Sequence, residues 1–541
     1  MSDHLPHRTG AVAVWSDFCA VSPSPELRER FLEERQRIES ASPLGGQFVL
    51  GGQPRHPGFN DGTIKPPDEF PVGTPRESIA AAAAERAPLT GAVRVVVVLA
   101  DFDDKEMTAT QEHFEELFFS LGSMPHGSVR EYFREATHGL VDIVGEVVGP
   151  VRLPKKLSWY ANGNFGIGRP SGEARAQLMA RDTAIAADPQ INYAPYDNDG
   201  NGFVDAFIVV HAARGGEVTG DSGDIWSHKW VLPNAYNADG ARIFAYLTIP
   251  EDAKIGVCAH ELGHLVFGFP DLYDIDGSSE GVGNWCLMGG GSWGGGGDVP
   301  THPSAWCKID QGWATVANVT GSASLSLPDV KNSHQVHRVW TGGLPGSEYF
   351  LLENRQRTGY DVSLPGDGLL IWHIDEHRPD NSDETHYMVG LVQADDEREL
   401  ENGVNRGDAG DAYPGSSGNT AFGAATAPSS HSHAGAPTGV SVTGISASGP
   451  TMTATVGVTV PGPVHLPVHS GAARPEPAAE TGLHEMVHAL QARLDALEQR
   501  MTGDGRRPEP YAEAGSRPEH NGAPHAAASG AGGVGHSYRR P

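Results

Sequence analysis

Cysteine is scarce in this chain. The four, Cys19, Cys258, Cys286 and Cys307, include no CxxC pair. Four scattered cysteines in 541 residues are too few for a disulfide-built scaffold. A Cys286–Cys307 bridge and two buried thiols remain as alternatives. Basic residues are also few. Thirty-nine Lys and Arg stand against 68 Asp and Glu, leaving a net charge of -29. That balance argues against nucleic acid or an anionic membrane surface as a partner. No apolar run is long enough to span a bilayer. Residues 1–20 show no basic stretch leading into an apolar core, so no secretory signal peptide is visible. Hydrophobic residues make up only 38% of the chain, and 69 Gly and 40 Pro make much of it loop-rich.

Against that background one segment stands out: His260-Glu261-Leu262-Gly263-His264, followed by Gly268 and then Asp271 and Asp274. Histidines at i and i+4 share one face of a helix, so both imidazoles can reach one zinc ion. Glu261 sits where it can act as general base on a water beside the metal. A catalytic zinc needs a third protein ligand and an open fourth position. A second HExxH, His484 to His488, lies in a run with Leu483, Val487, Leu490, Leu494, Leu497 and Met501. That spacing reads as a short coiled-coil helix over 482–501, with no glycine turn or acidic segment after it. It is not read as a zinc site, and it could support weak self-association.

The rest of the chain divides by texture. Residues 1–88 read as a prosegment-like region. Within them a helix opens at Ser24-Pro25 with Leu27, Phe31 and Ile38 on one side, and a Gly/Pro-rich linker follows. Cys19 is either a packed cysteine or a thiolate able to cap the zinc. Residues 89–314 alternate strand and helix patterns, beginning with the apolar, β-branched run Val93–Ala100. Residues 315–460 show short alternating segments split by turns, such as Glu348–Glu353 and Gly368–Ile374. Residues 461–541 are rich in Pro, Gly, Ala and His and are expected to be disordered apart from the 482–501 helix. The fold expected is a mixed α/β (α+β) zincin-type catalytic domain, an antiparallel β-sandwich-like domain, and a disordered tail.

Two further motifs carry chemistry. Asp197, Asp199, Asn201 and Asp205, with glycines between, resemble a calcium loop. No glutamate closes it and a strand follows, so a turn held by its own hydrogen bonds is the alternative. Asn405–Asp411 offers a second such choice. Met288, in Cys286-Leu287-Met288-Gly289, fits the methionine turn beneath a metzincin metal, or is a plain core methionine. The GxSxG formed by Gly290–Gly294 is bounded by more glycine and lacks the strand and helix of a serine-hydrolase elbow.

Taken together these residues resemble the immune inhibitor A family of zinc metallopeptidases. The matching segments are the strand ending in Asp101-Phe102, Tyr132–Glu135, Asp197–Asp205, Ile225–His228 and the zinc motif through Asp274. Leu287-Met288, Ala305–Asp310, Glu353–Arg355 and Leu369–Asp375 follow in order, so the likeness covers roughly residues 90–455. The resemblance implies a secreted zinc endopeptidase acting on protein or peptide substrates, often with calcium; a cytoplasmic location is the alternative. It implies His260 and His264 as zinc ligands, Glu261 as catalytic base and Asp271 as third ligand. The family pattern is HExxHxxGxxD. This chain carries one extra residue before Gly268, which keeps Asp274 and Glu280 open as alternative third ligands. A non-catalytic, calcium-dependent binding or scaffold protein is the competing reading.

Overall fold

The computed structural model describes residues 19–41, 65–75, 79, 87–168 and 173–459. The expected 482–501 helix, the second HExxH and the tail past residue 460 lie outside them.

The first sheet has six strands in the order β1-β5-β6-β4-β2-β3. These are β1 (Cys19–Ala20), β2 (Gly91–Asp101), β3 (Val141–Arg152), β4 (Phe207–His211), β5 (His228–Ala238) and β6 (Ala241–Pro250). The pairs β2/β3, β2/β4 and β4/β6 are parallel, while β5/β6 and β1/β5 are antiparallel. Burial follows position. Val95 to Ala100 on β2 and all of β4 are buried, which is why these strands read as unbroken apolar runs rather than alternating ones. Two helices pack on β3. Gln111–Phe119 is capped by Thr110, whose hydroxyl accepts from the His113 amide. Val129–Ala136 is capped by Ser128, which accepts from the Glu131 amide.

The central helix is Ile255–Phe267, and all thirteen of its residues are buried. A helix apolar almost all round belongs inside a core, so polar residues on it need a local reason. It stops at Gly268, which takes the left-handed conformation (φ 68°) and donates its N–H to the last turn.

The chain then forms two more sheets. Five strands run β12-β11-β10-β9-β7: β7 (Thr315–Val319), β9 (Gln335–Trp340), β10 (Glu348–Arg355), β11 (Gly368–Asp375) and β12 (Val389–Leu391). Four run β13-β14-β15-β8: β8 (Ala323–Pro328), β13 (Ala421–Phe422), β14 (Val440–Thr443) and β15 (Thr451–Val458). Pairing is antiparallel except β7/β9, which is parallel. The period of two is visible in β10. Phe350 and Leu352 join one apolar cluster with Phe422, Val442 and Met452 from the other sheet. Tyr349 and Leu351 turn to the main core, with Trp313 and Trp372. The five-stranded sheet is therefore apolar on both faces.

A buried polar network ties β10 to the first part of the chain. Arg355 is fully buried, bonds Asp361 through two nitrogens and lies 3.3 Å from Glu353. Asp361 accepts the His302 amide at 2.9 Å, and Trp372 Nε1 donates to Glu353 at 3.0 Å. His302 Nε2 lies 3.1 Å from Glu135. Burial raises the Asp361 carboxyl, but the facing Arg355 and His302 outweigh it and hold it far below the ordinary carboxylate range. Glu135, Glu353 and Arg355, three of the residues behind the family resemblance, are thus structural. Among the described residues no helix is long and apolar enough to cross a membrane.

Candidate metal centre

Three side chains converge at the Ile255–Phe267 helix. His260 Nε2 and His264 Nε2 lie 3.0 Å apart, and Asp271 Oδ1 lies 3.2 and 3.1 Å from them. All three residues are buried. The other ring nitrogens define the protonation. His260 Nδ1 is 3.0 Å from the Leu287 carbonyl and His264 Nδ1 is 2.6 Å from the Phe269 carbonyl. A carbonyl only accepts, so each Nδ1 carries the hydrogen, and in the neutral ring each Nε2 presents a lone pair. Asp271 Oδ1 has no partner of hydrogen-bonding geometry.

With both rings neutral, two nitrogen lone pairs and a carboxylate oxygen face one another with no hydrogen between them. That arrangement is repulsive unless a cation sits among them. A tetrahedral ion bound at about 2.0–2.1 Å holds its ligand atoms about 3.3 Å apart, close to the spacing seen here. The two Nδ1–H···O=C bonds are the outer contacts that fix ligating imidazoles.

Electrostatics agree. Burial pushes the Glu261 carboxyl well above its ordinary range, and the charges of Asp271 and Glu217 add to it. Neither Glu261 oxygen has a hydrogen-bonding partner, although the Val21 amide lies near enough to favour the ionised form. Burial lowers the His264 pKa and keeps the ring neutral, against the opposing pull of Asp271. Burial raises the Asp271 carboxyl, and only positive charge at the facing histidines, or on an ion between them, offsets it. A buried carboxylate facing two imidazoles whose Nδ1 hydrogens are already engaged is served by a cation between them. The residues fit a zinc ion.

The other sequence expectations are placed as follows. The extra residue before Gly268 is absorbed by the helix continuing to Phe267. Asp274 is occupied with the Asp276 amide, Ser278 and Ser279, and Glu280 with Arg28 and Arg406. Met288 is buried beneath the helix, and a Cβ on Gly263 would lie 2.8 Å from its sulfur. The four cysteines are buried thiols, with no Cys286–Cys307 bridge. Asp197, Asp199 and Asp205 bring one oxygen each within 4.8 Å of one another. The same loop is laced by its own bonds: Asp197 accepts from the Asn201 and Gly202 amides, Asp205 from Asn198, and the Asn201 side chain from Phe203. At the second loop Asp408 and Asp411 are joined by Asp395, from outside the motif.

The histidine site also has a member the spacing alone does not reveal. Cys19 Sγ lies within 4.8 Å of His264 and Asp271 ligand atoms. It is brought there by β1, which is 241 residues away from the HExxH motif in sequence but adjacent through β5.

Residues 100–321 match the family described as immune inhibitor A peptidase M6, catalytic domain. The pre-pro-metalloprotease PrtV of Vibrio cholerae serotype O1 (strain ATCC 39315 / El Tor Inaba N16961) is 30% identical over 270 residues, which is 40% of this chain and 29% of that protein. Immune inhibitor A of Bacillus thuringiensis subsp. alesti is 28% identical over 256 residues, 39% of this chain and 37% of that protein. The chain thus spans about a third of the length of these relatives. The family resemblance read from the motifs and the match found by comparison agree over residues 100–321, which are similar to the immune inhibitor A peptidase M6 catalytic domain.

Proposed function

We propose that this chain is a zinc-dependent metalloendopeptidase that hydrolyses peptide bonds of protein substrates. The observation that carries the reading is the convergence of two Nε2 atoms and Asp271 Oδ1 beside the Glu261 carboxyl, whose oxygens have no hydrogen-bonding partner. His260, His264 and Asp271 would hold the ion. Bound there, zinc supplies Lewis-acid chemistry, acidifying a water and polarising the scissile carbonyl. Glu261 takes the proton of the attacking water and delivers it to the leaving amine. That role requires an ionised Glu261, which the ion's charge favours against the burial that raises it. Met288 supports the helix face that carries the histidines. The names of the relatives, a metalloprotease and an immune inhibitor A, point the same way. A secreted location follows from the same resemblance. The Asp197, Asp199 and Asp205 cluster is proposed as a calcium seat, with the self-bonded turn as its alternative.

The test is hydrolysis of casein by the zinc-loaded full chain, before and after limited proteolysis, in wild type and Glu261→Gln. Chelator-sensitive cleavage that is lost in the variant is expected. A folded, zinc-loaded Glu261→Gln with undiminished turnover would reject the assignment. A wild type that binds calcium but no zinc would favour the calcium-dependent scaffold.

A further inference from the structure

We propose that Glu348, His373 and His433 form a second metal site, a weak seat for a zinc ion that clips the loop carrying His433 to β10 and β11. The site shares no residue with the histidine–aspartate centre and does not rest on the metalloprotease reading. One ligand atom from each of the three lies within 4.8 Å of the other two. They come from three places apart in sequence. Glu348 opens β10, His373 lies in β11, and His433 lies in a turn where His431 pairs with Pro437. Glu348 Oε1 accepts from the His433 amide at 2.8 Å and lies 2.9 Å from His373 Nε2. The carboxylate therefore already gathers both histidines.

The rings are arranged unlike ordinary core packing. His433 stacks on two other imidazoles, His373 with centroids 4.0 Å apart and His386 with centroids 3.9 Å apart. His386 is held through Nε2 by Asp375 at 2.9 Å, much as His373 is by Glu348. His433 Nε2, by contrast, is buried and has no hydrogen-bonding partner. A buried ring nitrogen without a partner costs free energy that coordination recovers. A position filled for packing alone would take an apolar ring, as Phe350 does beside His373 at 4.5 Å.

Two imidazoles and a carboxylate suit zinc and its neighbours copper and nickel better than calcium or magnesium. Ligand atoms around a tetrahedral zinc stand about 3.3 Å apart, so the three must close by about 1.5 Å at most. On coordination the neutral His373 ring moves its hydrogen from Nε2 to Nδ1, and Nε2 turns a lone pair to the ion. Water completes the shell from a cavity of about 240 Å3 lined by His373, His386 and His433 with Glu384, Gln393 and Glu401. The stacked rings must fan apart and Glu348 must share its oxygens, so binding is weaker than at His260, His264 and Asp271. Purification is therefore expected to empty this seat, and zinc retained by the purified chain reports the first centre alone.

The test has two readouts. Calorimetry titrates zinc into the full-length His260→Ala, His264→Ala variant, which should take up one zinc more than the same chain carrying His433→Gln. His431→Gln, a substitution beside the seat, should keep that extra zinc. Acylation of histidines by diethyl pyrocarbonate is then mapped by mass spectrometry in purified wild type, before and after zinc is added. At zinc near ten times its dissociation constant about a tenth of the seat stays free, so acylation of His373 and His433 should slow about tenfold. The exposed His377 should react at an unchanged rate. Acylation decides the matter even where His433→Gln does not fold: rates at His373 and His433 that zinc leaves unchanged overturn the seat. They leave the histidine–aspartate centre untouched.

Discussion

Met288 and Gly263 meet across the face of the helix that carries the histidines. A Cβ on Gly263 would come 2.8 Å from the methionine sulfur and 3.3 Å from its terminal carbon. Helix propensity alone favours alanine over glycine by about 1 kcal/mol. The contact should reverse that sign, because overpacking a full core costs about 1–3 kcal/mol. Gly263→Ala is expected to lower both stability and zinc affinity, and Gly263→Ala with Met288→Ala to recover part of the affinity. Zinc titration of the three proteins checks this. A single variant as tight as wild type would show that the contact is slack.

Asp271 and Asp274 should separate cleanly. Asp271→Asn removes a charge from among the lone pairs and should weaken zinc by more than the roughly 10–100-fold that loss of an outer contact costs. Asp274→Asn should loosen the turn bonded to Ser278 and Ser279 but retain zinc. Competition with a chromogenic chelator reads both. The opposite order would hand the third-ligand role to Asp274.

The Arg355–Asp361 pair is expected to behave as a structural tie. Removing one partner of a buried ion pair costs about 3–5 kcal/mol, because the other is left charged and unpaired. Asp361→Asn should lower the urea midpoint strongly while leaving the zinc content of the folded fraction unchanged. Loss of zinc at full stability would contradict the structural role.

His211 gives a pH signature away from the histidine–aspartate cluster. Burial lowers its pKa from 6.5 to about 4, and its Nε2 has no hydrogen-bonding partner. The folded state therefore binds fewer protons than the unfolded state between those values. Its stabilisation is complete above pH 6.5 and is lost as pH falls toward 4. From pH 7 to pH 5 the loss is on the order of 2 kcal/mol. His211→Phe should flatten that part of the profile, and equal slopes in both proteins would refute it.

Much of this layout was legible in the sequence, for reasons that can be named. Histidines at i and i+4 declare a shared helical face, Gly268 declares where the helix stops, and the β-branched run at Val93–Ala100 declares a buried strand. Thr110 and Ser128 mark helix starts, as capping chemistry requires. Choosing among Asp271, Asp274 and Glu280 was beyond spacing alone, because the extra residue before Gly268 leaves the turn's path open. Only the structure shows that Asp274 and Glu280 are engaged elsewhere. Cys19 was harder still, since its place depends on a long-range strand pairing with β5 that carries no local signal. Likewise Arg355 and Glu353 read as family motif, while their burial beside Asp361 and Trp372 depends on how the chain returns on itself.

The central claim is that His260, His264 and Asp271 hold a catalytic zinc beside Glu261. Zinc content by mass spectrometry on purified full-length wild type and on a His260→Ala, His264→Ala double variant tests it most directly. The account predicts one zinc per chain in wild type and none in the folded double variant. A folded wild type without zinc, or a double variant that keeps its zinc, would contradict it.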